Sequence, residues 1–210
     1  MKTLLENDLV LHYGKRKGSV IISPRIVNGE SVLFDPVACR QCVNFFRIHC
    51  PHETFCLNCN NDVQVVDHES VINKLQLPGD KCDFLMYDTE KIALLDLTCT
   101  MEHYLGMHQV DGAAREGKRM KSRNQLAKSI ERLCAVPSIA THIAGYQYRA
   151  AILGYRVKDE DLFRAVPVQF TKSEQVWLEL ARQREKRHLI TPMPNGFTFK
   201  MVRYPQAYQW

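Results

Sequence analysis

The chain has 210 residues, 45% hydrophobic and 24% charged, an ordinary composition for one globular domain or for one domain carrying a small module. Its net charge of +5 permits a nucleic-acid partner without requiring one. No apolar run is long enough for a membrane span and the N-terminus lacks a signal-peptide pattern, so we expect a cytoplasmic protein with no membrane partner. In that compartment the eight cysteines are expected to bind metal or to be buried thiols rather than to form disulfides.

The first part of the chain predicts a β-hairpin followed by a metal-bound insertion. Apolar alternation around Asn28-Gly29 predicts a hairpin with a type I′ turn within residues 19–35, and we assign residues 1–35 to this hairpin region. Residues 36–66 hold five of the eight cysteines and show little periodicity. We therefore expect residues 36–66 to be a loop-rich zinc-binding module.

Two CxxC pairs dominate this module, Cys39 with Cys42 and, after thirteen residues, Cys56 with Cys59. Two such pairs, each on a turn, can bind one tetrahedral ion, so the spacing predicts a structural zinc held by four thiolates. An iron–sulfur cluster would accept the same ligands, and reduced buried cysteines are the simpler alternative. Three neighbouring residues could replace a ligand or support one: Cys50, His52 and His68.

Helices and strands alternate through the rest of the chain. Asp67 or Ser70 is expected to cap a short helix that ends at Pro78-Gly79. A hairpin over residues 82–99, a long helix over roughly 115–134, one or two helical turns over 138–144 and a strand over 148–157 follow. Residues 158–210 form a C-terminal extension, with a helix opened by a Thr171–Glu174 capping box and a last strand after Asn195-Gly196.

The hairpin CDFLMYDTEKIALLDLTC is apolar on both faces but carries an aspartate on each arm. A turn centred between residues 89 and 90 pairs residues whose numbers sum to 179, which places Asp83 across from Asp96 on one face. An odd-length loop would separate them. Two carboxylates about 5 Å apart repel by roughly 3 kcal/mol at an effective dielectric of 20, so the pair needs a proton, a Lys or Arg, or Mg²⁺ or Mn²⁺. Alternatively, if one aspartate lies at a solvent-exposed end of its strand, this repulsion does not arise.

A row of polar side chains marks the long helix. At 100° per residue, its apolar residues fall on one face and its cations fall roughly opposite. The polar row contains Lys118, Lys121, Gln125, Lys128 and Arg132. Four cations in a row suit the phosphate backbone of a nucleic acid, and a solvated helix face is the alternative.

An Asp on one strand, Asp-x-Thr on the next, a helix with a Gln and then a strand resemble the core of the PD-(D/E)xK nuclease superfamily, over residues 67–157. The resemblance implies an α/β (α+β) fold, a restriction-endonuclease-like core with a central mixed sheet flanked by helices. It also implies that Asp83 and Asp96 bind catalytic Mg²⁺ or Mn²⁺, that Gln125 touches substrate and that Glu69 is a third acid. The strand that the family has between its first helix and Asp83 has no counterpart in this sequence.

One position departs from the family pattern, because Thr98 stands where the motif has a lysine. The same pairing sum places Lys81 across from Thr98, where it could supply the missing ammonium group. Lys118 and Lys121 are alternatives placed farther away. If no lysine reaches the site, the fold would be retained without catalysis.

Three functions follow from these features. The first is a metal-dependent nuclease that cleaves DNA or RNA by water attack. The second is an inactive nuclease-like adaptor, stabilised by a structural zinc, that binds nucleic acid or protein. The third is an interaction subunit with a protein partner or with further copies of itself.

Overall fold

The computed structural model describes residues 1–34, 54–100, 104–106, 108–110, 113–157, 172–190 and 192–210. The described helices are α1 (residues 2–12, π-helical over Leu5–Leu9), α2 (His68–Lys74), α3 (Lys118–Cys134), α4 (Pro137–Ala144) and α5 (Lys172–Ile190). The main strands are β1 (Arg25–Phe34), β2 (Thr54–Asp67), β3 (Phe84–Tyr87) and β4 (Lys91–Thr100), and later β7 (Tyr148–Val157), β8 (Thr198–Arg203) and β9 (Ala207–Gln209). Between them, β5 (His108–Val110) and β6 (Ala113–Arg115) form a separate two-stranded sheet. None of the helices in these ranges is long and apolar enough to cross a membrane.

Seven strands form one mixed sheet in the order β1-β2-β3-β4-β7-β8, with β9 pairing beside β2. Strands β1 to β4 are antiparallel neighbours, whereas β4, β7 and β8 run parallel. The connection from β4 to β7 contains α3, which packs on both strands, as a parallel crossover requires. The expected α+β class, a mixed sheet flanked by helices, is confirmed.

The two faces of the sheet bury different cores. One face packs against helices, through residues such as Leu9, Ile72 and Leu126. Every buried member described for the second core lies on a strand. The sheet curls enough for Phe55 on β2 to reach β7, where a Cβ at Gly154 would lie only 2.8 Å from the Phe55 ring. Glycine is therefore required where these strands approach each other.

The predicted hairpin turn at Asn28-Gly29 is wrong. Strand β1 continues through both residues and pairs with β2, and the register shifts between Val27 and Gly29. Gly29 has a φ of +68°. One kind of bulge uses a glycine with the same left-handed backbone that a type I′ turn requires, so Asn-Gly fits both an irregular strand and a turn.

The elements in the first third of the chain also differ from those expected from the sequence. Residues 2–12 are helical, which the sequence reasoning missed, although Leu5, Leu9 and Val10 have the spacing of a buried helix face. The expected module boundary at residue 66 falls inside β2, so residues 54–66 belong to the main sheet.

The later elements agree with the sequence. The side chain of Asp67 accepts a 2.8 Å hydrogen bond from the Ser70 N–H and so caps α2. The long helix begins at Lys118 rather than near residue 115, and α4, β7, α5 and β8 lie where they are expected. Thr171 of the proposed capping box lies outside the described residues.

Candidate functional site

The apolar hairpin has the register that its turn predicts. Strand β3 pairs with β4 through Phe84 and Leu95 and through Tyr87 and Ile92, so paired numbers sum to 179. Asp83 lies one residue before the first of these pairs, and Asp96 lies one residue after it. Extending this register by one residue beyond β3 brings Asp83 to the position across from Asp96.

Asp83 holds the β4 backbone on both sides of Asp96. Its N–H donates to the Leu95 carbonyl at 3.0 Å, and its Oδ2 accepts from the Leu97 N–H at 2.6 Å. Its carbonyl accepts the N–H of His68, at 2.8 Å, and that of Glu69, at 3.2 Å. Asp83 therefore connects β4 to the first turn of α2.

Asp96 is enclosed, with only 4% of its surface exposed, and Thr98 is equally buried. Strand alternation places Asp96 on the face of Leu94, which belongs to the helix-covered core. Both aspartates also act on Cys82, whose thiol pKa is raised by burial first and then by their negative charges. Asp96 is thus the poorly hydrated member of the pair, whereas Asp83 is half-buried.

Lys81 and Glu69 contact each other beside this pair. The Lys81 ammonium lies 3.6 Å from the Glu69 carboxylate and also donates to the Asn73 side chain. In this arrangement Glu69 balances the charge of Lys81. The described residues contain no group of three or more His, Cys, Asp or Glu side chains that could hold a metal ion. Magnesium or manganese binding by Asp83 and Asp96 stays a prediction, with two protein ligands.

Two buried residues next to Asp83, His68 and Cys82, contact each other, and this contact was not predicted. His68 Nδ1 is 3.4 Å from the Cys82 carbonyl and 3.5 Å from its sulfur. Burial lowers the pKa of His68 to about 4 and raises that of Cys82, so both side chains are neutral. With the thiol at 0% exposure, this pair supports the fold rather than acting as a nucleophile.

The predicted basic stripe on α3 divides into two parts. Lys118 and Lys121 are exposed, as expected. Lys128 instead lies 3.0 Å from the Asp80 carboxylate, and Arg132 donates to the carbonyls of Pro78 and Asp80. Periodicity identified the helix face correctly, but half of its cations are used within the protein.

Two further residues on α3 also contact the segment before Asp83. Gln125 donates from Nε2 to the Lys81 carbonyl at 3.3 Å. Ser129, which is buried, accepts the Cys82 N–H at 3.0 Å. The sequence reasoning missed Ser129, although it lies four residues after Gln125 and therefore on the same helix face.

The cysteine prediction is tested only in part, because Cys39, Cys42, Cys50 and His52 lie outside the described residues. Cys56 and Cys59 lie in the regularly paired part of β2, so the turn expected there is wrong. Residues three apart on a strand point to opposite faces, and Cys59 is buried in the strand-only core. Zinc binding by the four cysteines stays a prediction. The conformation of β2 does not direct Cys56 and Cys59 toward one ion.

Comparisons of the chain with models of protein families, with curated proteins and with solved structures give no match.

Proposed function

We propose that this protein is a metal-dependent nuclease that hydrolyses phosphodiester bonds of DNA or RNA at Asp83 and Asp96. One observation carries the proposal: Asp83 is hydrogen-bonded to the backbone of Leu95 and of Leu97, the two residues on either side of Asp96. Carboxylate oxygens are the ligands that Mg²⁺ and Mn²⁺ prefer, and Asp96 is largely shielded from water. A divalent cation that reaches both carboxylates would supply the chemistry.

The sheet supports a restriction-endonuclease-like core. Strands β2, β3 and β4 are antiparallel neighbours, α3 follows, and β7 returns parallel to β4. Asp83 immediately precedes β3, and Asp96 lies in the second half of β4, the strand from which the chain continues toward α3. The strand order departs from the family in one respect: the described residues between α2 and β3 contain no strand, and β2, the neighbour of β3, precedes α2.

The two carboxylates satisfy only part of what Mg²⁺ or Mn²⁺ requires, because these ions bind about six oxygen ligands. Water molecules and the substrate phosphate would complete the coordination shell. A bound Mg²⁺ or Mn²⁺ would act as a Lewis acid toward a phosphodiester and the attacking water. Lys81, whose side chain is 20% exposed, would contribute positive charge from the segment beside Asp83. In the reaction, the water oxygen would bond to phosphorus while the bond to the leaving oxygen breaks; the water would lose one proton and the leaving oxygen would gain one, which gives a phosphomonoester and a free hydroxyl.

Exposed cations on the same helix offer a path for the substrate. Lys118 and Lys121 lie in the first turn of α3, and the part of the chain that the structure describes gives neither side chain a partner. Contacts of this kind bind phosphates without regard to sequence. We therefore assign them to the nucleic-acid backbone.

A non-catalytic adaptor is the second candidate, and the ion pair between Lys81 and Glu69 favours it. Thr98 stands where the family motif has a lysine, and Lys81, the candidate substitute, is held by Glu69 and Asn73. A protein that kept this arrangement would bind nucleic acid but would not cleave it.

Incubation of the full chain with single- and double-stranded DNA and RNA, with Mn²⁺, Mg²⁺ or a chelator, tests the proposal. We expect cleavage that requires metal and that Asp96→Asn abolishes while the variant stays folded. Asp62→Asn is the matched control, because Asp62 is an exposed aspartate bonded to Asn28. If the wild-type protein binds but leaves every substrate intact, the adaptor replaces the nuclease.

A further inference from the structure

We infer that one face of α3 positions the Asp83 carboxylate by holding the segment 78–82, which leads into Asp83. Four residues do this: Gln125, Lys128, Ser129 and Arg132. The inference deepens the proposed function, because it assumes that the placement of Asp83 matters for metal binding. It makes these four positioning residues rather than contacts to the substrate.

The spacing of the four residues is that of one helix stripe. They follow one another at intervals of three, one and three residues, so their side chains lie on one face of α3, within an arc of about 100°. Each of them contacts the segment 78–82. Contacts at every turn of the helix hold the segment over its whole length.

The order of the contacts along the segment is also regular. Arg132 binds the carbonyls of Pro78 and Asp80, and Lys128 binds the Asp80 carboxylate. Gln125 binds the Lys81 carbonyl and Ser129 binds the Cys82 N–H. Each residue from Asp80 to Cys82 is thus bonded to α3, and the next residue is Asp83.

The segment has little else to fix it at its start. Pro78, Gly79 and Asp80 are all exposed, so they contribute few apolar contacts. Gly79 has a φ of +86°, and a Cβ placed on it would lie 3.4 Å from the Arg132 guanidinium. The turn therefore lies directly against Arg132, so α3 holds the start of the segment, while α2 contacts its end, at Lys81 and Cys82.

The Leu97 N–H provides a readout of this positioning that needs neither metal nor substrate. It donates to Asp83 Oδ2 at 2.6 Å, so its hydrogen exchange reports whether the carboxylate is in place. If α3 positions Asp83, loosening the segment 78–82 should speed exchange at Leu97 more than at amides in β7.

The experiment compares Ser129→Ala and Arg132→Ala with two matched controls in the full chain. Ser138→Ala removes a hydroxyl that bonds Asp8 on the exposed surface, and Arg16→Ala removes an exposed guanidinium. We expect roughly tenfold faster exchange at Leu97 in the α3 variants, and Mn²⁺ affinity lowered by about 10–100-fold, as for residues that orient a metal ligand. Arg132→Lys, which keeps a donor, should restore part of both.

Two results would decide the matter separately. Leu97 exchange that is the same in the α3 variants and in the controls would overturn the positioning role. Faster exchange at Leu97 in a protein that binds no Mn²⁺ would support the positioning role and contradict the proposed nuclease. If Ser129→Ala fails to fold, Lys128→Ala gives the same comparison, because that side chain is exposed.

Discussion

The Oδ2 atom of Asp83 accepts a 2.6 Å hydrogen bond from the backbone N–H of Leu97, the residue that follows Asp96. This bond gives Asp83 a structural role that is separate from any role in binding metal. Asparagine retains a side-chain oxygen at the same place, whereas alanine leaves the Leu97 N–H without its acceptor. The two substitutions therefore distinguish the contributions of the hydrogen bond and of the charge.

We predict that Asp83→Ala lowers the free energy of unfolding by about 1–3 kcal/mol, the cost of an unpaired, largely buried donor. Asp83→Asn should cost less and should still abolish Mn²⁺ binding. Urea unfolding and calorimetric titration with Mn²⁺ measure the two effects. Equal stability of both variants would show that the bond to Leu97 contributes little.

A second prediction concerns Glu69, which the sequence suggested as a third acid and which the structure pairs with Lys81. If Glu69 only balances Lys81, Glu69→Gln should leave Mn²⁺ affinity within about threefold of wild type, because a partly exposed ion pair contributes little energy. Titration with Mn²⁺ tests this. A loss of affinity as large as that of Asp96→Asn would return Glu69 to the ligand set.

The sequence predicted the β3–β4 register because a symmetric turn leaves one pairing, and so it placed Asp83 across from Asp96. It could not predict the partners of Lys128 and Arg132, which lie 48 to 54 residues away in the chain. Helical periodicity identifies a face but not what lies opposite it. The turn expected at Cys56 and Cys59 was wrong for a related reason, since the pairing of β2 with β1 overrides a local turn signal.

The third prediction tests the curled sheet. Gly154→Ala would bring a methyl group to 2.8 Å from the Phe55 ring and 2.9 Å from the Leu97 side chain. We expect a loss of about 1–3 kcal/mol in the free energy of unfolding, because overpacking forces neighbouring side chains to move. Phe55→Leu in the same chain should recover part of that loss. An unchanged urea midpoint for Gly154→Ala would mean that β2 and β7 lie farther apart.

The fourth prediction separates the two kinds of cation on α3. Lys118→Glu with Lys121→Glu should weaken nucleic-acid binding and reduce the slope of log affinity against log salt by about 2, because each lysine that no longer neutralises a phosphate lowers the slope by close to one unit. Binding measured at several salt concentrations tests this. If affinity and slope stay unchanged, this end of α3 is a solvated surface and the substrate binds elsewhere.

The last prediction concerns pH and rests on His68. This residue is 1% exposed, and its Nε2 has no hydrogen-bond partner among the described residues. Burial lowers its pKa from 6.5 to about 4, and the positive charges of Arg132 and Lys81 act in the same direction, against a hydrogen bond to the Cys82 carbonyl. The folded protein therefore keeps His68 neutral where the unfolded chain protonates it.

The sign follows from that difference. Because the pKa is lower in the folded state, the contribution of His68 to stability is complete above pH 6.5 and decreases as the pH falls toward 4. The loss should approach roughly 3 kcal/mol at the acid end of this range. In His68→Gln, in which position 68 does not titrate, unfolding free energies should fall less steeply between pH 7 and 4.5 than in wild type.

Carboxylates titrate in both proteins, so the difference between the two curves isolates His68. His12→Gln, at an exposed histidine, is the control and should parallel wild type. If the His68→Gln curve also parallels wild type, the imidazole takes up protons in the folded state and is not enclosed as the structure has it.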